Sequence, residues 1–273
     1  MVKGVNLKSM LKDEETHHSV SVSLGDDISF LNLERLIRCG EHKQALDTIL
    51  EWKNNDRPFS EEFAESLEQL SLLARLCLGD VTIQSLTHSG ANTYELISAL
   101  IPRSVQLGLL DLADELAGSN DTYGTYQHCE LIISLYTEGY VERAKSKLMQ
   151  LNATLLKEAQ PPFTRPAYIL GEILHDEGRF EEAAVIFERI AQQFPDMAKA
   201  RFAASSCYLH TTMNRLMGRI ELYRPREEEQ LRIEKYLNDI SEALNIVHST
   251  NWHTSWSPAQ SRNLPPQPSK VIH

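Results

Sequence analysis

Apolar residues in this chain recur at intervals of three and four, and between residues 28 and 248 that pattern predicts a succession of helices. The stretch GRFEEAAVIFERIAQQFP, residues 178–195, shows it most cleanly. Ala183, Phe187 and Ile190, with Ala184 and Ala191 beside them, fall on one helical face. Glu181, Glu182, Glu188, Arg189, Gln192 and Gln193 fill the other. Gly178 ends whatever precedes, and Pro195 ends the helix itself. Alanine on the apolar face lets a second helix approach closely. The preceding stretch, FTRPAYILGEILHDEGRF, predicts that second helix, with Thr164 as N-cap and Pro166 in its first turn. Gly171, inside the helix, is explained if a neighbour crosses there and a side chain would collide. The two helices, joined at Gly178, form an antiparallel hairpin.

Leu170, Gly171, Leu174, Gly178, Phe180, Ala183, Phe187 and Pro195 resemble, in order and spacing, the tetratricopeptide repeat (TPR), whose period is 34 residues. Ile190 stands where the family usually has alanine. A shift of 34 carries Leu170, Gly171 and Leu174 onto Ala204, Ser205 and Tyr208, so the next repeat is expected from Asp196. Fainter copies lie upstream, around Gly139 with Val141, Ala144 and Leu148, around Gly108 with Leu110, Ala113 and Ala117, and around Gly40 with Ala45, Ile49 and Trp52. Gly178 and Gly139 are 39 residues apart, Gly139 and Gly108 31, and Gly108 and Gly40 68, twice the family period. Gly79 marks a divergent unit with only a short second helix. The resemblance implies an all-α, right-handed α-solenoid of about six TPR-like hairpins over residues 28–248, the best repeat being 164–197.

The chain ends differ from this pattern. Residues 1–27 read as a flexible arm, in which HSVSVSL (18–24) alternates without a partner strand. The helix from Ala198 lacks a turn glycine and is expected to run on to Tyr223. A helix opened by Pro225 carries the stripe Ile233, Leu237, Ile240, Leu244 and Val247. A cap over the last hairpin is preferred to oligomerisation through residues 226–248, because a repeat stack needs its last apolar face covered. Residues 249–273 hold four prolines and read as a disordered tail containing Trp252 and Trp256.

Composition narrows the function. The net charge of −11 opposes a phosphate-binding surface, so no nucleic-acid partner is expected. No segment reads as a signal peptide or a membrane span, and a soluble cytoplasmic protein without membrane insertion is expected. Cys39, Cys77, Cys129 and Cys207 are too far apart for paired zinc ligands and read as buried thiols. His17 and His18 form an isolated pair in a polar arm, and no metal or cofactor is expected. Catalytic motifs such as G-x-S-x-G, H-E-x-x-H and phosphate-cradling glycine loops are absent from the sequence, so the reading is non-enzymatic.

What remains is binding. In the TPR family, the first helices of successive hairpins line a concave groove that takes a peptide or a partner's helix. By elimination, Arg165, Tyr168, Glu172 and His175 face that groove from one helix. Lys199, Phe202, Ser206 and His210 face it from the next, and Tyr126, Cys129, Ile133 and Tyr136 from the one before. Arg165 and Lys199 would hold an acidic group of the peptide. The asparagine and lysines of the family's clamp for chaperone C-termini are not matched. The expected function is a protein-interaction scaffold or adaptor within a multiprotein complex. The alternative is a regulator that senses a peptide signal or modulates an enzyme by docking.

Overall fold

The computed structural model describes residues 24–54, 59–87, 93–119, 124–151, 153, 156, 159–223 and 225–250. His17, His18, Trp252 and Trp256, with nearly all of the expected arm and tail, lie outside the described residues. Among the described residues, every regular element is a helix. The chain divides into two compact units, Met1–Thr82 and Ile83–His273.

The first unit contains α1 (Leu24–Arg38), α2 (His42–Asn54) and α3 (Glu61–Leu78). Helix α1 begins four residues before the expected boundary at 28. The Phe63 ring lies 5.3 Å from Phe30, 5.1 Å from Phe59 and 6.2 Å from Trp52, which ties α3 to both other helices. Ser60 caps α3, its hydroxyl accepting from the Phe63 amide, and Glu61 and Glu62 occupy the first turn.

The second unit contains a short α4 (Ile83–Thr87), then the pairs α5 (Thr93–Gln106) with α6 (Leu110–Ala117), α7 (Gly124–Thr137) with α8 (Val141–Leu148), and α9 (Thr164–Asp176) with α10 (Phe180–Gln193). The long α11 (Ala198–Tyr223) and α12 (Glu227–His248) follow. Helix α7 packs on α5 and α6 of the preceding pair, and α9 packs on α7 and α8. Helix α10 packs on α11, and α12 covers α11.

One turn is built repeatedly. Gly40, Gly108, Gly139 and Gly178 all have φ between 76° and 83°. In each case the glycine amide donates to the carbonyl three residues back, and the next amide donates to the carbonyl five back. Five residues after each glycine stands a fully buried alanine: Ala45, Ala113, Ala144 and Ala183. The turn and the small residue behind it are therefore one device, closing the hairpin and letting its second helix nest. Around Gly139, a Cβ would meet nothing within 4 Å, so only the backbone conformation demands glycine there. Gly139→Ala is expected to destabilise the chain by about 1 kcal/mol, the cost of a left-handed alanine, read as a lower urea midpoint. An unchanged midpoint would show that the turn relaxes freely.

Three expectations need correction. Thr164 does not cap α9; it is the first helical residue, and its hydroxyl donates to the Ala159 carbonyl at 2.7 Å. The long connection from Met149 to Phe163 buries Leu156, Ala159 and Phe163 and absorbs the wide spacing between Gly139 and Gly178. The shift of 34 also misplaces α11. Ser205 and Tyr208 are exposed, whereas Ala204 and Cys207 are buried, so the positions matching Gly171 and Leu174 lie 33 residues on. The expected run of α11 to Tyr223 holds, and the stripe on α12 turns inward, with Ile233 and Leu244 buried and Leu237, Ile240 and Val247 half-buried. Pro225 precedes the N-cap of α12, Arg226, rather than opening the helix.

Charged side chains link successive pairs. Arg143 on α8 reaches Asp111 and Asp114 on α6, each at 2.8 Å, and Lys147 reaches Asp114 at 3.0 Å. Lys145 pairs with Glu177 at the end of α9, and Arg215 on α11 reaches Glu181 on α10 at 2.7 Å. None of the helices among the described residues is long and apolar enough to cross a membrane.

Candidate functional site

The middle of the second unit holds ionisable side chains where a helical core normally holds none. Helix α9 is enclosed by α7, α8 and α10, and nine of its positions from Pro166 to His175 are buried, leaving only Leu170 half-exposed within that span. Elimination therefore fails for this helix: Tyr168, Glu172 and His175, expected toward an open groove, are buried, and on α11 so is Ser206. Tyr168 packs edge-on against Phe187, with ring centroids 5.1 Å apart.

Glu172 is the focus of an electrostatic network. Its pKa is raised to about 8, chiefly by burial, with the negative charge of Asp176 pushing the same way. A hydrogen bond from the Tyr136 hydroxyl and the charges of Lys199 and Arg165 offset part of that rise. Burial also lowers Arg165 from its ordinary range, while Glu130 and Glu172 support its charge. Glu130 itself is raised by burial, with Arg165 opposing. Tyr136 and Tyr168 are both raised, first by burial and then by Glu172. Thus Tyr136 from α7, Arg165 and Glu172 from α9, and Lys199 from α11 form one cluster, half-buried or buried rather than on an open rim.

The other candidates fall elsewhere. Tyr126 is half-buried on α7. Phe202 is exposed on α11. Ser206 belongs to a second group that the sequence analysis did not assemble. Its hydroxyl lies 3.2 Å from His175 Nε2 and 3.4 Å from His248 Nε2. The His210 ring stacks on Phe180 at 4.5 Å, and its pKa is lowered by burial and by the nearby His248. One signal for this group was present in the sequence: His175, His210 and His248 recur at roughly one hairpin period, and a repeat brings such positions side by side.

The cysteines divide. Cys129 and Cys207 are buried thiols, with burial pushing both up to about 12, but Cys77 is only half-buried and Cys39 is exposed. Comparison with family models, curated proteins and solved structures gave no match.

Proposed function

We propose that the chain is a TPR-like α-solenoid acting as a non-catalytic protein-interaction scaffold or adaptor, with an acidic segment of a partner polypeptide held across α7, α9 and α11. The observation that carries this reading is the cluster of Tyr136, Arg165, Glu172 and Lys199 drawn from those three first helices. Buried or half-buried charge is destabilising unless it is partnered, and perturbed ionisable groups concentrate at binding surfaces. A glutamate held uncharged at neutral pH removes one negative charge from the surroundings of Arg165 and Lys199. That arrangement suits an incoming carboxylate. Exposed Phe202, three residues after Lys199 on α11, supplies an apolar contact on the same helix.

The test places a photo-crosslinking residue at Phe202 or, as a control on the second helix α10, at exposed Val185. Crosslinking to a discrete polypeptide is expected at Phe202 but not at Val185. It is expected to fall at least tenfold when Arg165→Glu and Lys199→Glu are combined. Equal labelling at both positions, or labelling indifferent to the charge reversal, would remove the groove.

A further inference from the structure

His175 on α9, His210 on α11 and His248 in the last turn of α12 each bring a ring nitrogen to a common point, the three atoms lying within 4.8 Å of one another. We propose that these three imidazoles form a zinc site that clamps the C-terminal helix onto the last hairpin.

The donor set and its surroundings support this assignment independently. The Nε2 atoms of His175 and His248 both face the Ser206 hydroxyl, at 3.2 and 3.4 Å, so two of the rings already aim at one place. The third ring has a reason to join them: His210 Nε2 is buried and has no hydrogen-bond partner among the described residues. A buried orphan nitrogen is unfavourable, and a cation accepting its lone pair removes that penalty. Behind His175, Nδ1 lies 3.5 Å from Asp176 Oδ1. That approach is longer than a hydrogen bond, and a small turn of the Asp176 carboxylate would let it hold the Nδ1 proton and leave Nε2 to a metal. Phe180 holds two of the rings, stacked on His210 and edge-on to His175 at 5.1 Å, which restricts their rotation.

Geometry and ligand type select the ion. Zinc takes imidazole nitrogens at about 2.0–2.1 Å in a tetrahedron. That geometry sets ligand nitrogens about 3.4 Å apart, so small side-chain rotations close the remaining gap. Imidazole suits zinc and its transition-metal neighbours and not magnesium or calcium, which prefer oxygen. Three protein ligands leave a fourth position, and because His248 is exposed, water or a partner's side chain can reach it. The clamp couples α9, α11 and α12, which already meet at the Ser206 hydroxyl.

The test uses the untagged full chain, stripped with chelator and titrated with zinc by calorimetry, then with cobalt as a spectroscopic probe. One equivalent of zinc is expected to bind at micromolar concentration or tighter and to raise Tm, and cobalt is expected to show the intense visible bands of a tetrahedral site. His248→Gln removes a ligand from an exposed terminal turn without disturbing the core, and is expected to weaken binding at least tenfold. His17→Gln with His18→Gln is expected to leave binding unchanged. Absence of zinc binding by the wild type, or zinc affinity equal in wild type and His248→Gln, would overturn the site.

Discussion

Phe187→Ala is expected to remove about 3–5 kcal/mol of stability, the range for deleting a fully buried aromatic ring. Phe187 has no exposed surface and lies where α10 faces α9. Its ring fills the space left by Gly171: a Cβ on that glycine would stand 2.7 Å from both Cε1 and Cζ of Phe187. Gly171→Ala is therefore expected to destabilise the wild type by about 1–2 kcal/mol through overpacking, although alanine is the better helix former by about 1 kcal/mol. The decisive comparison is the same substitution in the Phe187→Ala background. With the ring gone, the propensity gain of about 1 kcal/mol stands alone and the sign reverses, giving a coupling of about 2–3 kcal/mol for residues in direct contact. Urea midpoints of the four proteins, followed by circular dichroism, measure the cycle. A Gly171→Ala change that stabilises in both backgrounds would mean that the ring swings away at little cost, and that the glycine is not there to admit it.

This pair also shows how far the sequence was legible. Gly171 announced a close crossing, because a helical glycine is unfavourable without one. The turn glycines at 40, 108, 139 and 178 announced the hairpins, because their left-handed backbone closes each turn and sets the alanine five residues on. Such signals are local and survive reading one residue at a time. What failed was the inference of exposure on α9 and α11. Whether Glu172 or Ser206 is covered depends on how many neighbours enclose the helix, and periodicity within one helix does not count them. The register of α11 failed for a related reason: a one-residue change in the connection after Pro195 rotates the helix by about 100°, and no residue type marks it. The histidine group required combining both levels, a repeat period and three helices in contact.

Glu172 turns the buried network into a measurable dependence on pH. Its pKa is about 8 in the folded chain, against an ordinary value of 4.5. Between those values the folded chain holds a proton that the unfolded chain releases, so stability falls as pH rises through the window and levels off above 8. Glutamine keeps the shape and has no proton to lose. Glu172→Gln is thus expected to match the wild type within about 1 kcal/mol at pH 5 and to exceed it by roughly 2–5 kcal/mol at pH 9. Urea unfolding of both proteins at the two pH values reads the difference, and an advantage that is the same at both would show that Glu172 ionises at its ordinary pKa. Tyr136→Phe supplies the opposing control. The Tyr136 hydroxyl donates to the carboxylate and favours its ionised form, so its removal is expected to move the window further up. The same linkage reaches binding. A partner carboxylate accepted by Arg165 and Lys199 is favoured while Glu172 remains protonated. Its affinity is then expected to fall as pH passes 8 in the wild type and to stay level in Glu172→Gln, whereas a cationic partner segment would give the opposite slope.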